Sequence, residues 1–211
     1  RVLARIVDPR PSPEAPNDYL NLVTRYAYDG QGRQIEIVDP AGSRTTLAYD
    51  RQGRLLESVR DADGLALRTA YAWDARGLRL SVTEGAGTAD AQTVAYAYDG
   101  LGRRISDTVA PGVLDLTTTY GYDANGNLTH KIDPEGRVTR YTYDEAGRQI
   151  FAVDGAGGVT RTWYDVAGRA VATRAYAQAI DTSGLALATD AAAIQSLLAA
   201  DDARDVQQYR V

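Results

Sequence analysis

Seven aspartates recur along this 211-residue chain, each followed three residues later by glycine: Asp29, Asp50, Asp74, Asp99, Asp123, Asp144 and Asp165, with Gly32, Gly53, Gly77, Gly102, Gly126, Gly147 and Gly168. Repeated carboxylates suggest two kinds of chemistry, acid–base catalysis and binding of a hard cation. The spacing favours neither. Asp at the first position of a tight turn accepts a bond from a backbone N–H two residues on, and Gly at the fourth supplies a positive φ. Asp123-Ala124-Asn125-Gly126-Asn127 has some flavour of a calcium loop, yet it lacks the ligand order and closing Glu of an EF-hand. His130 is the sole histidine and cysteine is absent, which excludes a Cys–His pair and a histidine-rich metal site. The residues therefore suggest no catalytic group, no metal and no cofactor.

The elements that carry these turns are repeats. The aspartates are spaced by 21, 24, 25, 24, 21 and 21 residues, within the period of repeat architectures. An aromatic residue precedes each one: Tyr28, Tyr49, Trp73, Tyr98, Tyr122, Tyr143 and Tyr164. Arg follows the turn glycine in five copies, while Leu78 and Asn127 stand there in the third and fifth. Each unit reads as strand, turn, strand, with a second turn at Asp39-Pro40-Ala41-Gly42, Asp61-Ala62-Asp63-Gly64, Asp133-Pro134-Glu135-Gly136 and Asp154-Gly155-Ala156-Gly157. The third residue after the first glycine is apolar at Ile35, Leu56, Leu80, Ile105, Ile150 and Val171, with Thr129 the exception. The sixth is apolar at Val38, Val59, Ile132 and Val153. These positions have opposite parity, so either a bulge realigns them or each face is partly covered.

The fold expected is all-β: tandem two-stranded repeats forming a curved, twisted antiparallel strip with one inserted α-helix. Two strands at ~4.8 Å each advance such a strip by ~10 Å per repeat, so the aromatic residues would form a row at that spacing. The whole of 1–211 reads as a single array. It divides into a partial repeat at 1–8, a proline-rich loop at 9–18, seven repeats over about 19–174, a helical insertion at about 185–205 and the start of another repeat at 206–211. Within the insertion, Asp190 is an N-cap candidate, and Ile194, Leu197 and Leu198 share a stripe, predicting a helix over about 190–203 that lies against the sheet. Both termini fall inside a repeat, which reads as a piece of a longer chain.

Composition limits the partners. Hydrophobic residues at 44% with 24% charged residues fit a folded chain, and a net charge of −5 without a basic cluster argues against nucleic acid. No apolar run has the length of a membrane-spanning helix.

The tandem YxYDxxGR units, as in Tyr96-Ala97-Tyr98-Asp99-Gly100-Leu101-Gly102-Arg103, resemble the YD repeats of the Rhs family, which also occur in the B and C subunits of insecticidal Tc toxins and in teneurins. The resemblance implies a β-sheet strip forming part of a hollow shell that encapsulates a C-terminal toxin domain and helps deliver it. It also implies a bacterial protein, secreted or at the cell surface and loaded in the cytoplasm. The partners implied are the rest of its own chain, namely further repeats and the toxin cargo. Family members cut themselves near a DPxxG-type motif, which the two Asp-Pro turns here do not match. The alternative reading is a carbohydrate-binding or adhesion module, with a glycan stacked on the row Tyr28, Tyr49, Trp73, Tyr98, Tyr122, Tyr143 and Tyr164.

Overall fold

A computed structural model describes residues 1–7 and 22–202; the proline-rich stretch at 9–18 and the strand expected at 206–211 lie outside the described residues. Fifteen antiparallel strands follow one another in sheet order as in chain order. They are β1 (Val2–Val7), β2 (Leu22–Tyr28), β3 (Gln34–Val38), β4 (Arg44–Tyr49), β5 (Leu55–Arg60), β6 (Leu67–Trp73), β7 (Arg79–Glu84) and β8 (Gln92–Tyr98). Then come β9 (Arg104–Val109), β10 (Leu116–Tyr122), β11 (Leu128–Ile132), β12 (Val138–Tyr143), β13 (Gln149–Val153), β14 (Val159–Tyr164) and β15 (Ala170–Ala175), followed by helix α1 (Ala191–Asp202). The chain falls into two compact units, one of Arg1–Tyr96 with Val109–Asp115, the other of Ala97–Thr108 with Leu116–Val211.

The parity conflict is resolved by a bulge. In the pair β2–β3, Ala27 faces Glu36 and Tyr28 faces Gln34, leaving Ile35 as the extra residue. The same shift leaves out Leu56, Leu80, Thr129, Ile150 and Val171 in the corresponding hairpins. The bulge takes up one residue per hairpin, so the sixth-position residues keep ladder register with their partners, as Val38 does with Arg25.

The second turns differ among themselves. Those at Asp39, Asp133 and Asp154 place a positive φ at Gly42, Gly136 and Gly157. The turn Asp61-Ala62-Asp63-Gly64 keeps the same closing bond, from the Gly64 N–H to the Asp61 carbonyl at 3.0 Å, but its left-handed residues are Asp61 (φ +51) and Ala66 (φ +50), and the Ala66 N–H also donates to the Asp61 carbonyl. The longer loop is thus closed by two bonds to the one carbonyl at its start.

In the first unit little is deeply buried, and Val59 is the one hydrophobic residue there, among those described, below a tenth exposed. Cross-strand ion pairs occupy the sheet instead, with Arg44 to Glu36 at 3.3 Å and Arg68 to Glu57 at 3.0 Å. The second unit has an apolar core. Phe151, Val153 and Val159 from β13 and β14 are covered by Ile180, Ile194 and Leu198. Helix α1 begins after Asp190, whose carboxylate accepts from the Ala193 N–H at 2.7 Å. The buried Arg140 clamps the segment before it, donating from Nε to the Ala186 carbonyl and from an Nη to that of Leu185. Arg161 donates to the Gln195 side chain at 2.9 Å while lying over the Phe151 ring.

Phe151→Ala removes the largest fully buried side chain beneath α1. Urea unfolding should show a loss of about 3–5 kcal/mol. A loss under about 1 kcal/mol would mean that the insertion does not rest on this ring.

Candidate functional site

The repeating node is built on one carboxylate. At the first turn the Asp29 N–H donates to the Arg33 carbonyl at 2.9 Å and the Gly32 N–H to the Asp29 carbonyl at 3.2 Å. Gly32 has φ +80, with open space where a Cβ would stand. The Asp29 Oδ1 accepts from the Gln31 and Arg33 N–H groups, both at 2.9 Å, and Oδ2 accepts from Arg33 Nε at 2.7 Å. The pattern returns at Asp50, Asp99, Asp144 and Asp165 with Arg54, Arg103, Arg148 and Arg169. Where Leu78 replaces Arg, Arg76 binds the Asp74 carboxylate at 2.9 Å. Where Asn127 replaces it, the Asn127 amide donates to Asp123 Oδ2 at 2.9 Å. Gly53, Gly77, Gly102, Gly126, Gly147 and Gly168 all have positive φ.

The same arginine reaches the next repeat. Arg33 donates an Nη–H to the Asp50 carbonyl at 2.8 Å and lies 5.1 Å over the Tyr49 ring. Arg103 does so at Asp123 and Tyr122, and Arg148 at Asp165 and Tyr164. Arg54 donates likewise to the Asp74 carbonyl. The aromatic residue completes the join. Tyr49 donates its hydroxyl to the Gln34 carbonyl at 2.9 Å, as Tyr122 does to Arg104, Tyr143 to Leu128 and Tyr164 to Gln149. Trp73 uses its indole N–H on the Leu55 carbonyl at 2.7 Å. The accepting carbonyl belongs to the residue just before the bulged one, beyond the end of the ladder with the next repeat. Tyr28 and Tyr98 close β2 and β8 at the equivalent position.

These contacts set the electrostatics. The carboxyls of Asp29, Asp50, Asp74 and Asp165 lie below the usual carboxylate range chiefly through the backbone N–H of the residue after the turn glycine. Those of Asp99, Asp123 and Asp144 are lowered first by the side chains of Arg103, Asn127 and Arg148. Burial, then the Coulomb effect of Arg140, pushes His130 down; its ring occupies the space over Gly121 and meets the Thr129 hydroxyl at 3.1 Å. Burial raises the Tyr143 phenol. Carboxylates held this way are acceptors with their lone pairs engaged, which suits joining rather than proton transfer. Among the described residues no three His, Cys, Asp or Glu side chains converge.

The model of the RHS repeat matches residues 17–44, 28–66, 49–89 and 122–160, together more than half of the chain. The chain belongs to the RHS repeat family. Its fold is shared with two crystal structures, TcdB2-TccC3-Cdc42 and TcdB2-TccC3, each matched over 74% of this chain with a TM-score of 0.58 and 17% identity. The chain spans 9% of the length of each of those chains. No curated protein matches it by sequence. In RHS terms, the tyrosine–aspartate pair is the end of one hairpin strand and its turn, and the arginine is the link to the next repeat. The parts of this link not evident beforehand are the reach of the arginine and the docking roles of Arg140 and Arg161. Arg140 and Arg161 stand four residues before their turn aspartates, but so does Arg25 before Asp29, so the offset alone does not signal the docking role.

Gly32→Ala forces a Cβ into the left-handed region without any clash, so its cost is backbone strain alone. A loss of about 1–2 kcal/mol in urea unfolding is expected, and an unchanged midpoint would remove the turn assignment. Acid should act in two stages. His130 is depressed on folding, so a shallow loss of stability begins as pH falls through about 6.5, where the unfolded chain takes up the proton first. The turn aspartates, also depressed, lend their stability fully above about 3.9 and lose it as pH falls further, giving a steeper second fall. His130→Gln should abolish the first stage only. A urea midpoint that rises below pH 4 would contradict the carboxylate geometry.

Proposed function

We propose that this chain is a wall segment of an RHS-type shell, and that the shell encloses and helps deliver a toxin domain carried C-terminally in the same polypeptide. One observation carries the reading: the residues that define the repeat spend their polar groups on neighbouring repeats. Arg33, Arg54, Arg103 and Arg148 bind the next turn, and Tyr49, Trp73, Tyr122, Tyr143 and Tyr164 bind the preceding strand. A structure whose signature residues join it to itself serves by extent and not by a reactive group. On this reading the protein is bacterial, secreted or displayed at the cell surface, and has no enzymatic role of its own. The partners are further repeats and the cargo. Family membership and the shared fold support the shell by analogy.

The test is protease protection in the full-length polypeptide that carries these repeats. The segment C-terminal to the repeats should resist a nonspecific protease in the intact protein and be digested once mild denaturant opens the repeats. Digestion at equal rates in both states would overturn the shell. Retention of the intact repeats on a glycan array, lost in Tyr122→Ala with the fold preserved, would assign the row to carbohydrate instead.

A further inference from the structure

Between the fifth and sixth turns the arginine link is missing, and a cleft of about 420 Å³ lies there, closed on one side by Ala188–Ala191 at the start of α1. Elsewhere in the second unit, Arg103 and Arg148 cross to the next turn carbonyl and the next tyrosine ring. Asn127 is too short to do so, since its amide ends on Asp123 of its own turn. The receptor for the guanidinium nonetheless remains. Among the described residues the Asp144 carbonyl accepts only the Gly147 N–H of its own turn, and no cation lies over Tyr143. Both residues line the cleft.

The charge there is also unbalanced. The carboxylates of Asp29, Asp50, Asp99, Asp144 and Asp165 are paired with the arginine of their own turn and that of Asp74 with Arg76. Asp123 has Asn127 in that place, a neutral partner, and its lowered pKa keeps it ionised. Glu145 and Asp190 add carboxylates to the rim. Thr142, 3% exposed, is among the residues lining the cleft.

We propose that this cleft binds a guanidinium cation, brought by an arginine side chain of another segment or by free arginine. The ligand would take the place that the missing arginine holds in other repeats. Its N–H groups would go to the Asp144 carbonyl and the Asp123 carboxylate, and its planar face matches the habit of Arg on tyrosine. An anion is disfavoured by Asp123, Glu145 and Asp190, and α1's N-terminus already has its cap in Asp190. This site exists whether or not the repeats form a shell.

The test is titration of the intact chain with L-arginine amide, with L-citrulline amide as the neutral isostere and acetyl-Gly-Arg-Gly-amide as the peptide probe, followed by NMR at the Thr142 and Asn127 amides. Saturable shifts with the arginine probes and at least about tenfold weaker binding of citrulline amide are expected. Tighter binding of the peptide would identify a polypeptide source, and binding of arginine amide alone a small-molecule one. Asn127→Arg supplies the guanidinium from within, so it should abolish binding and raise the urea midpoint. If that variant does not fold, the exposed Glu145→Gln should weaken arginine amide several-fold while leaving citrulline amide unchanged. No saturation, equal binding of charged and neutral probes, or undiminished binding to a folded Asn127→Arg would overturn the site.

Discussion

The structure depends on the carboxylate of the turn aspartate accepting two backbone N–H groups and one guanidinium, as Asp29 does. A hairpin sheet of short strands with little buried apolar surface has few other means of fixing register. The carboxylate holds the turn closed, and the turn sets which residues face each other across the hairpin. It also fixes the root of the arginine side chain, which without Asp29 would be a long flexible cation with no preferred direction. Held at Nε by its own aspartate, Arg33 can extend an Nη only toward the next turn. Local turn chemistry thereby becomes inter-repeat geometry.

The bulge and the aromatic row are parts of the same arrangement. Inserting Ile35 ends the ladder toward β4 at the Glu36–Thr46 pair and leaves the Gln34 carbonyl facing the next repeat without a strand partner. The Tyr49 hydroxyl supplies the missing donor. Trp73 serves equally well because its N–H reaches the corresponding carbonyl of Leu55. What the position requires is an aromatic ring with a donor at its far edge, which explains why tyrosine so outnumbers phenylalanine here.

Turns, repeat period and strand alternation were legible in the sequence because each rests on chemistry within a few residues. The Asp-x-x-Gly spacing announces a left-handed glycine, and Asp190 ahead of an alanine-rich run announces a helix. The parity conflict at Ile35 and Val38 left a bulge and partial cover of each face equally open, since the choice depends on the partner strand. The reach of Arg33 to Asp50, 17 residues away, was hidden for the same reason. So were the left-handed residues Asp61 and Ala66 of the longer second loop, and the clamp of Arg140 on Leu185 and Ala186. An arginine in a strand reads as a solvated residue until the segment covering it is known.

The contrast between the two faces of this design explains what RHS repeats can vary. At the position four after the turn glycine stand Glu36, Glu57, Ser81, Ser106, His130, Phe151 and Ala172, a set with no common chemistry. None of these residues takes part in the turn node, so the repeat survives any of them. With Glu the position makes an ion pair across the sheet, as Glu36 does with Arg44. With Phe it becomes the floor of a core, and Arg161, lying over the ring, turns to Gln195 of α1. One substitution in an open strip thus recruits an insertion as its cover. The node requires the chain to keep Asp, Gly and an aromatic donor, and it leaves the rest of each hairpin free to acquire local structure.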